Sequence, residues 1–262
     1  MPNPVSTGLP NPQSYDVSTA GIVLDKVTGL VWQSAANTSG MLWPAARNHC
    51  LHLSLAGADD WRLPSFIELV SLVDFSRRDP AIDTTAFPRP VGGTVWTSTP
   101  VLGSPSEAWY VSFNNGFTYQ GHENLLPIDV RCVRGGAVDP VGARYAFPTP
   151  QTVSDKQTGL LWQRTADGQT RTWDAAVAVC RALDLSGPGW RLPSMKELQT
   201  LLDLSRQLPA LDPVAFPIAP TEQYWTSSTL KGSATDAWFI SFRLGAASTI
   251  GRDNPSFVRC VR

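Results

Sequence analysis

The stretch WRLPSFIELVSLVD, Trp61 to Asp74, returns as WRLPSMKELQTLLD, Trp190 to Asp203, and this return decides the architecture. Outward from it, other segments recur in the same order. DKVTGLVWQ (Asp25 to Gln33) is matched by DKQTGLLWQ (Asp155 to Gln163), and VWTSTP (Val95 to Pro100) by YWTSST (Tyr224 to Thr229). EAWYVSF (Glu107 to Phe113) is matched by DAWFISF (Asp236 to Phe242). VRCVR closes both series, at Val130 to Arg134 and Val258 to Arg262. A period this long marks a duplicated domain, because solenoid units run ~20–50 residues. The 262 residues therefore read as two domains, 19–136 and 147–262. A linker over 137–146 lies within the Pro- and Gly-containing run Gly135 to Pro150.

Within each copy the local signals repeat. Ser65 and Glu68, and again Ser194 and Glu197, stand three apart as a capping box that starts a helix. An earlier helix carries Trp173, Ala176, Val177, Cys180 and Leu183 on one face behind Thr172 as N-cap. Its counterpart in copy one carries Trp43, Ala46, Cys50 and Leu53. Leu-x-Trp after Asp-Lys-x-Thr-Gly reads as a strand after a turn. Trp109, Val111 and Phe113 alternate with Tyr110 and Ser112 as a strand would. The expected fold class is α+β: per copy, two helices plus a small twisted, mainly antiparallel sheet with long loops.

Composition excludes several function classes. Hydrophobic residues make up 42% and charged residues 16%, so each half can bury a core. A net charge of −1 argues against a nucleic-acid binder that works by neutralising phosphates. No apolar run approaches the ~18 residues that signal a membrane span. The first residues lack the basic segment and apolar core of a signal peptide. Four cysteines, Cys50, Cys132, Cys180 and Cys260, allow three connectivities. Duplication favours one bridge inside each copy, Cys50 with Cys132 and Cys180 with Cys260, over four reduced core thiols. Bridges imply an oxidising compartment. The expected location is therefore extracellular, cell-surface or periplasmic, with an export signal already removed.

Candidate chemistry is sparse. His49, His52 and His122 all lie in copy one, so copy two cannot hold a Ser-His-Asp set. Two histidines three apart lack a third ligand, and no phosphate-cradling glycine loop occurs. No cofactor and no metal are expected. The ten tryptophans fall in five matched pairs and read as core. Arg62 with Glu68 and Arg191 with Glu197 read as structural links and caps rather than catalytic groups.

Four motifs present in both copies carry a resemblance: Asp-x-x-Thr-Gly-Leu-x-Trp, Trp-Arg-Leu-Pro-Ser-x-x-Glu-Leu, Trp-Thr-Ser and terminal Arg-Cys-Val-Arg. Together they resemble the C-terminal domain of the bacterial collagen-like adhesin family, over Val23 to Arg134 and Val153 to Arg262. The resemblance implies a C-type-lectin-like fold, shared with formylglycine-generating enzymes, and roles in adhesion and polysaccharide binding. It also implies a bridge from the first helix to the last strand, where Cys50/Cys132 and Cys180/Cys260 fall. Calcium-binding lectins carry Trp-Asn-Asp where this chain has Trp96-Thr97-Ser98 and Trp225-Thr226-Ser227. Calcium chelation is therefore not implied.

The copies diverge after the Trp-rich strand. Copy one reads NNGFTYQGHENLLPID (Asn114 to Asp129) and copy two RLGAASTIGRDNPS (Arg243 to Ser256). A kept scaffold with changed loops is what loop-borne binding produces. Copy one offers Asn114, Asn115, Tyr119, His122, Glu123 and Asn124, a set suited to sugar hydroxyls. Copy two offers Arg243, Arg252, Asp253 and Asn254, and carries twelve Lys and Arg against ten acids, where copy one has eight against ten. Copy two is thus the better candidate for an anionic ligand. The expected function is non-enzymatic: binding or adhesion to a polysaccharide or cell-surface glycan. The alternatives are a protein ligand and an oxidase of the formylglycine-generating type.

Overall fold

The computed structural model describes residues 1–88, 93–136 and 144–262. The chain divides into two compact units, Met1–Val138 and Asp139–Arg262. Most of the expected linker, 137–143, lies outside the described residues. Its last three residues, Arg144 to Ala146, already belong to the second unit, where Tyr145 opens a strand.

The first unit begins with β1 (Tyr15–Asp16), β2 (Ile22–Asp25), β3 (Leu30–Gln33) and β4 (Asn37–Met41). Helices α1 (Trp43–Leu51) and α2 (Phe66–Ser71) follow. Then come β5 (Thr94–Val101), β6 (Ser104–Ser112), β7 (Thr118–His122), β8 (Ile128–Val130) and β9 (Val133–Gly135). These strands form two sheets, ordered β1-β2-β3-β9 and β4-β8-β5-β6-β7. The second unit holds β10 (Tyr145–Thr149), β11 (Thr152–Asp155), β12 (Leu161–Gln163), β13 (Thr170–Arg171), α3 (Trp173–Ala182) and α4 (Met195–Gln199). It continues with β14 (Gln223–Thr229), β15 (Asp236–Ser241), β16 (Ala246–Gly251) and β17 (Ser256–Phe257). Its sheets are ordered β10-β11-β12 and β13-β17-β14-β15-β16.

The expected α+β, C-type-lectin-like arrangement of two helices against one small sheet is therefore corrected. Strands dominate, and each unit has two separate sheets. The helices are short, with 9 and 6 residues in one unit and 10 and 5 in the other. Two physical reasons explain the difference. The run around VRCVR is not one strand. In the first unit β8 belongs to the five-stranded sheet and β9 to the four-stranded one, with Arg131 and Cys132 at the crossing. Helix α2 also stops early, because the Ser71 hydroxyl donates back to the Glu68 carbonyl (2.6 Å) and Thr200 does the same to Glu197. Such back-bonding competes with continued helix.

Local chemistry builds each piece. Asp25 closes the β2–β3 turn by accepting from the Val27 amide (2.9 Å) and the Thr28 hydroxyl (2.7 Å). Gly29 takes φ +71° there, a conformation L side chains avoid. Both capping boxes form as read. The Glu68 carboxylate that accepts from the Ser65 amide also takes two bonds from Arg62, at 2.7 and 2.6 Å. Arg62 in turn exchanges backbone bonds with Val133, both 2.9 Å, so the cap of α2 is tied to β9. Thr172 precedes α3 without a side-chain capping bond.

The core between α1 and the five-stranded sheet gathers Ala46, Cys50, Trp61, Leu63, Trp96, Ala108, Ile128, Val130 and Cys132, and the second unit repeats it. Eight tryptophans are buried; Trp43 and Trp173 are partly so and donate to the Thr97 and Thr226 carbonyls. The disulfides are Cys50–Cys132 and Cys180–Cys260, spanning 82 and 80 positions.

Two predictions follow from these links. Replacing Cys50 and Cys132 with serine should lower unfolding stability by roughly 4–5 kcal/mol, the loop-closure value for a span of this length. Chemical denaturation of the unreduced variant measures it, and a loss under about 1 kcal/mol would contradict the role given to the bridge. Glu68 provides the second. Burial pushes its carboxyl up, but the Arg62 guanidinium and the Ser65 donors outweigh burial, so its pKa lies below the ordinary 4.5. A carboxylate with a depressed folded pKa stabilises above its unfolded pKa and loses that contribution as pH falls through the folded one. Glu68→Gln should therefore be less stable at neutral pH and lose less on acidification from about pH 5 to about pH 3. An acid profile identical to wild type would remove the link.

Candidate functional site

The loops singled out in the sequence flank one hairpin in each unit. In the first unit β6 pairs with β7, the edge strand, in the register Tyr110↔Tyr119, Ala108↔Gly121 and Glu107↔His122. Asn114 and Asn115 form the turn at one end. The Asn114 carbonyl accepts from the Asp79 amide (2.7 Å), and the Asn115 side chain accepts from the Phe117 amide (3.2 Å). A β-carbon on Gly116 would sit 3.0 Å from Val73 and from the Phe75 ring. Both asparagines are half-buried; Asn114 holds the turn through its backbone carbonyl and Asn115 through its side-chain oxygen.

His122, Glu123 and Asn124 lie at the opposite end. The Asn124 amide donates to His122 Nδ1 (3.3 Å), and the Asn124 side chain donates to Glu123 Oε1 (3.2 Å). The Glu123 carbonyl accepts from the Trp43 amide, which fixes this end against the start of α1. Tyr119 stands between the two ends on the sheet face, 41% exposed. Its ring stacks on Tyr110 (5.4 Å between centroids, 26°) and on Phe117 (6.3 Å, 27°). Tyr110 meets Trp96 edge-on at 5.7 Å. Burial and the neighbouring Tyr119 hydroxyl raise the Tyr110 pKa above its ordinary value. The structure therefore does not bring the six expected residues together. It separates them into a turn, a strand face and a second loop.

The second unit separates its set in the same way. Arg243 lies in the β15–β16 turn, exposed, with its carbonyl accepting from the Leu208 amide. Arg252 follows the far end of β16, with its guanidinium carbon 3.9 Å from the Trp173 ring centroid. Asp253 and Asn254 are exposed beside it, and both nitrogens of Asn254 donate to the Gly251 carbonyl. Neither arginine pairs with a carboxylate among the described residues. Backbone bonds identify the equivalent positions. Glu123 accepts from Trp43 where Arg252 accepts from Trp173, so an acid in one unit stands where the other has a base.

Three residues that touch the expected set were not among the sequence candidates: Tyr110, Phe117 and Trp173. The signal was present for Tyr110, which lies on the opposite face from Trp109 and becomes Phe239 in copy two. Cross-strand stacking cannot be read from one strand alone. Among the described residues no three His, Cys, Asp or Glu side chains gather as a metal set, and no helix is long and apolar enough to cross a membrane.

These features define a tandem pair of small, disulfide-closed, two-sheet modules whose hairpin edges differ chemically. The chain belongs to the Lcl C-terminal domain family, whose profile matches residues 21–134 and again 151–262. No curated protein matches it.

Arg243 and Arg252 sit at opposite ends of the six-residue strand β16, about 20 Å apart at ~3.3 Å per residue. For an anionic polymer retained by the protein, the affinity losses from Arg243→Ala and Arg252→Ala should multiply to within about a factor of two, as for independent sites. A double-mutant cycle on heparin-like polymer measures this. Strong coupling would require both guanidinia on one ligand group.

Proposed function

We propose that the protein is an extracellular, non-enzymatic binding or adhesion protein. Its tandem modules recognise a polysaccharide or other cell-surface ligand, with the second unit favouring an anionic one. The observation that carries this reading is the exchange of chemistry on a kept scaffold. At equivalent hairpin positions Glu123 becomes Arg252 and Tyr119 becomes Ser248, while turns, caps and disulfides repeat. Two internal bridges suit an oxidising compartment. Tandem sites raise avidity when both reach one target.

The unpaired guanidinia of the second unit supply charge-assisted donors for sulfate or carboxylate. The Arg252 guanidinium carbon lies 3.9 Å from the Trp173 ring centroid, a cation–π contact that restrains the side chain. The test is a glycan array probed with the full chain, with and without chelator, followed by heparin-like polymer at increasing salt. Retention unaffected by chelator, and weakening with salt as exposed charges are screened beyond ~8 Å at physiological ionic strength, is the expected result. Absence of any glycan signal above background would overturn the reading.

A further inference from the structure

Resting on that reading, we infer that the aromatic row of the first unit, exposed Tyr119 with half-buried Tyr110 and Phe117 and with Leu126 beside it, is a binding face for an uncharged pyranose chain. The site lies on the strand face of the hairpin rather than at its loop tips.

Three observations carry it. The row is continuous from the core outward: Trp96, fully buried, meets Tyr110, which stacks on Tyr119, which stacks on Phe117 at the sheet edge. The hydroxyls of Tyr110 and Tyr119 bond to no described residue, so both remain available to a ligand. Position 121 is kept bare for the row. A β-carbon there would come within 2.8 Å of the Tyr110 ring and 3.0 Å of Leu126.

The second unit serves as an internal control. Its hairpin keeps the same register, Phe239↔Ser248 and Ala237↔Ile250, in place of Tyr110↔Tyr119 and Ala108↔Gly121. The hairpin therefore forms without the tyrosine pair and without the bare position. A stacked cross-strand pair adds stability, but an exposed ring is not a requirement of the module.

The chemistry of the face selects the ligand class. Aromatic ring carbons and a 42%-exposed leucine supply apolar surface, and two hydroxyls supply hydrogen-bonding groups, for a pyranose, which offers C–H surface on one side and hydroxyls at its rim. Ala108 and Gly121, beside the tyrosine pair on the same face, carry no charge. An anionic polymer would find no cation in the row.

The experiment titrates the full chain with cellohexaose, chitohexaose and maltohexaose, followed by intrinsic fluorescence and ligand-observed NMR. At least one hexaose should bind saturably, with an affinity unchanged by added sodium chloride. Tyr119→Ser, which installs the residue of the second unit, should weaken it by about tenfold or more. Gln120→Ala, on the opposite face, should leave it unchanged. Tyr119→Phe keeps the stack and guards against misfolding as the cause; it should fold as wild type and lose less than the serine variant. No saturable response to any hexaose, an unaffected Tyr119→Ser protein or a salt-sensitive affinity would each overturn the inference. If the array is positive while Tyr119→Ser is silent, this inference alone fails. If no glycan binds at all, the parent reading fails with it.

Discussion

A guanidinium buried where the last run of each unit changes sheets ties the two sheets together. Arg131 is fully buried, and its Nη1 donates to the carbonyls of Gln33 and Ser34, both at 2.6 Å. Its guanidinium carbon lies 4.8 Å from the centroid of the Phe87 ring. Burial lowers its pKa to about 10, which leaves it charged at neutral pH. Arg259 repeats the arrangement with the carbonyls of Gln163 and Arg164 and the Phe216 ring. A charge removed from water is costly unless its surroundings compensate, so the end of β3 and the β8–β9 crossing cannot part without stranding the cation or the carbonyls. The next residue, Cys132, carries the disulfide to α1, and its amide donates to the Gln33 side-chain oxygen (3.2 Å). Helix, edge of one sheet and start of the other meet at two consecutive residues.

Around this crossing the duplicated units show which charges the module needs and which it can exchange. Asp25 and Asp155 are both fully buried and both close a turn with the same donors. In the second unit Arg144 adds two bonds to Asp155, at 3.0 and 2.7 Å, and a third to the Thr200 carbonyl. The backbone bond from Lys156 to Arg144 matches that from Lys26 to Ser14, so a serine holds this position in the first unit. The turn donors therefore suffice for the carboxylate, and the arginine is an addition of one unit. The clamp of Arg62 on Glu68, by contrast, is repeated by Arg191 on Glu197 bond for bond.

The same distinction separates scaffold from candidate site. Positions facing the crossing and the disulfide repeat, because a change there would leave buried polar groups unpaired. Positions on the edge strands β7 and β16 face solvent on at least one side and are free to differ. Tyr119 against Ser248 and Glu123 against Arg252 are differences of this kind. Loop identity alone did not show which of these residues share a surface. Asn114 and Asn115 sit in the turn at one end of the hairpin, while Tyr110, hidden in a motif common to both copies, supports the exposed ring.

The duplication, the Asp-Lys-x-Thr-Gly turns and both capping boxes were determined by the sequence alone, which also favoured, among three connectivities, the cysteine pairing found. Each rests on residues within a few positions of one another or on a pattern stated twice. The tertiary structure alone decided that each unit has two sheets, that the run ending in VRCVR is cut at Arg131, and that Arg243 and Arg252 lie at opposite ends of β16. It also decided that four aromatic rings form a row across three strands and the turn beside them. These features depend on which strand lies beside which and in what register. Alternation along a strand tells which side chains share a face, but the neighbour across the hydrogen bonds is chosen by contacts between residues far apart in the chain.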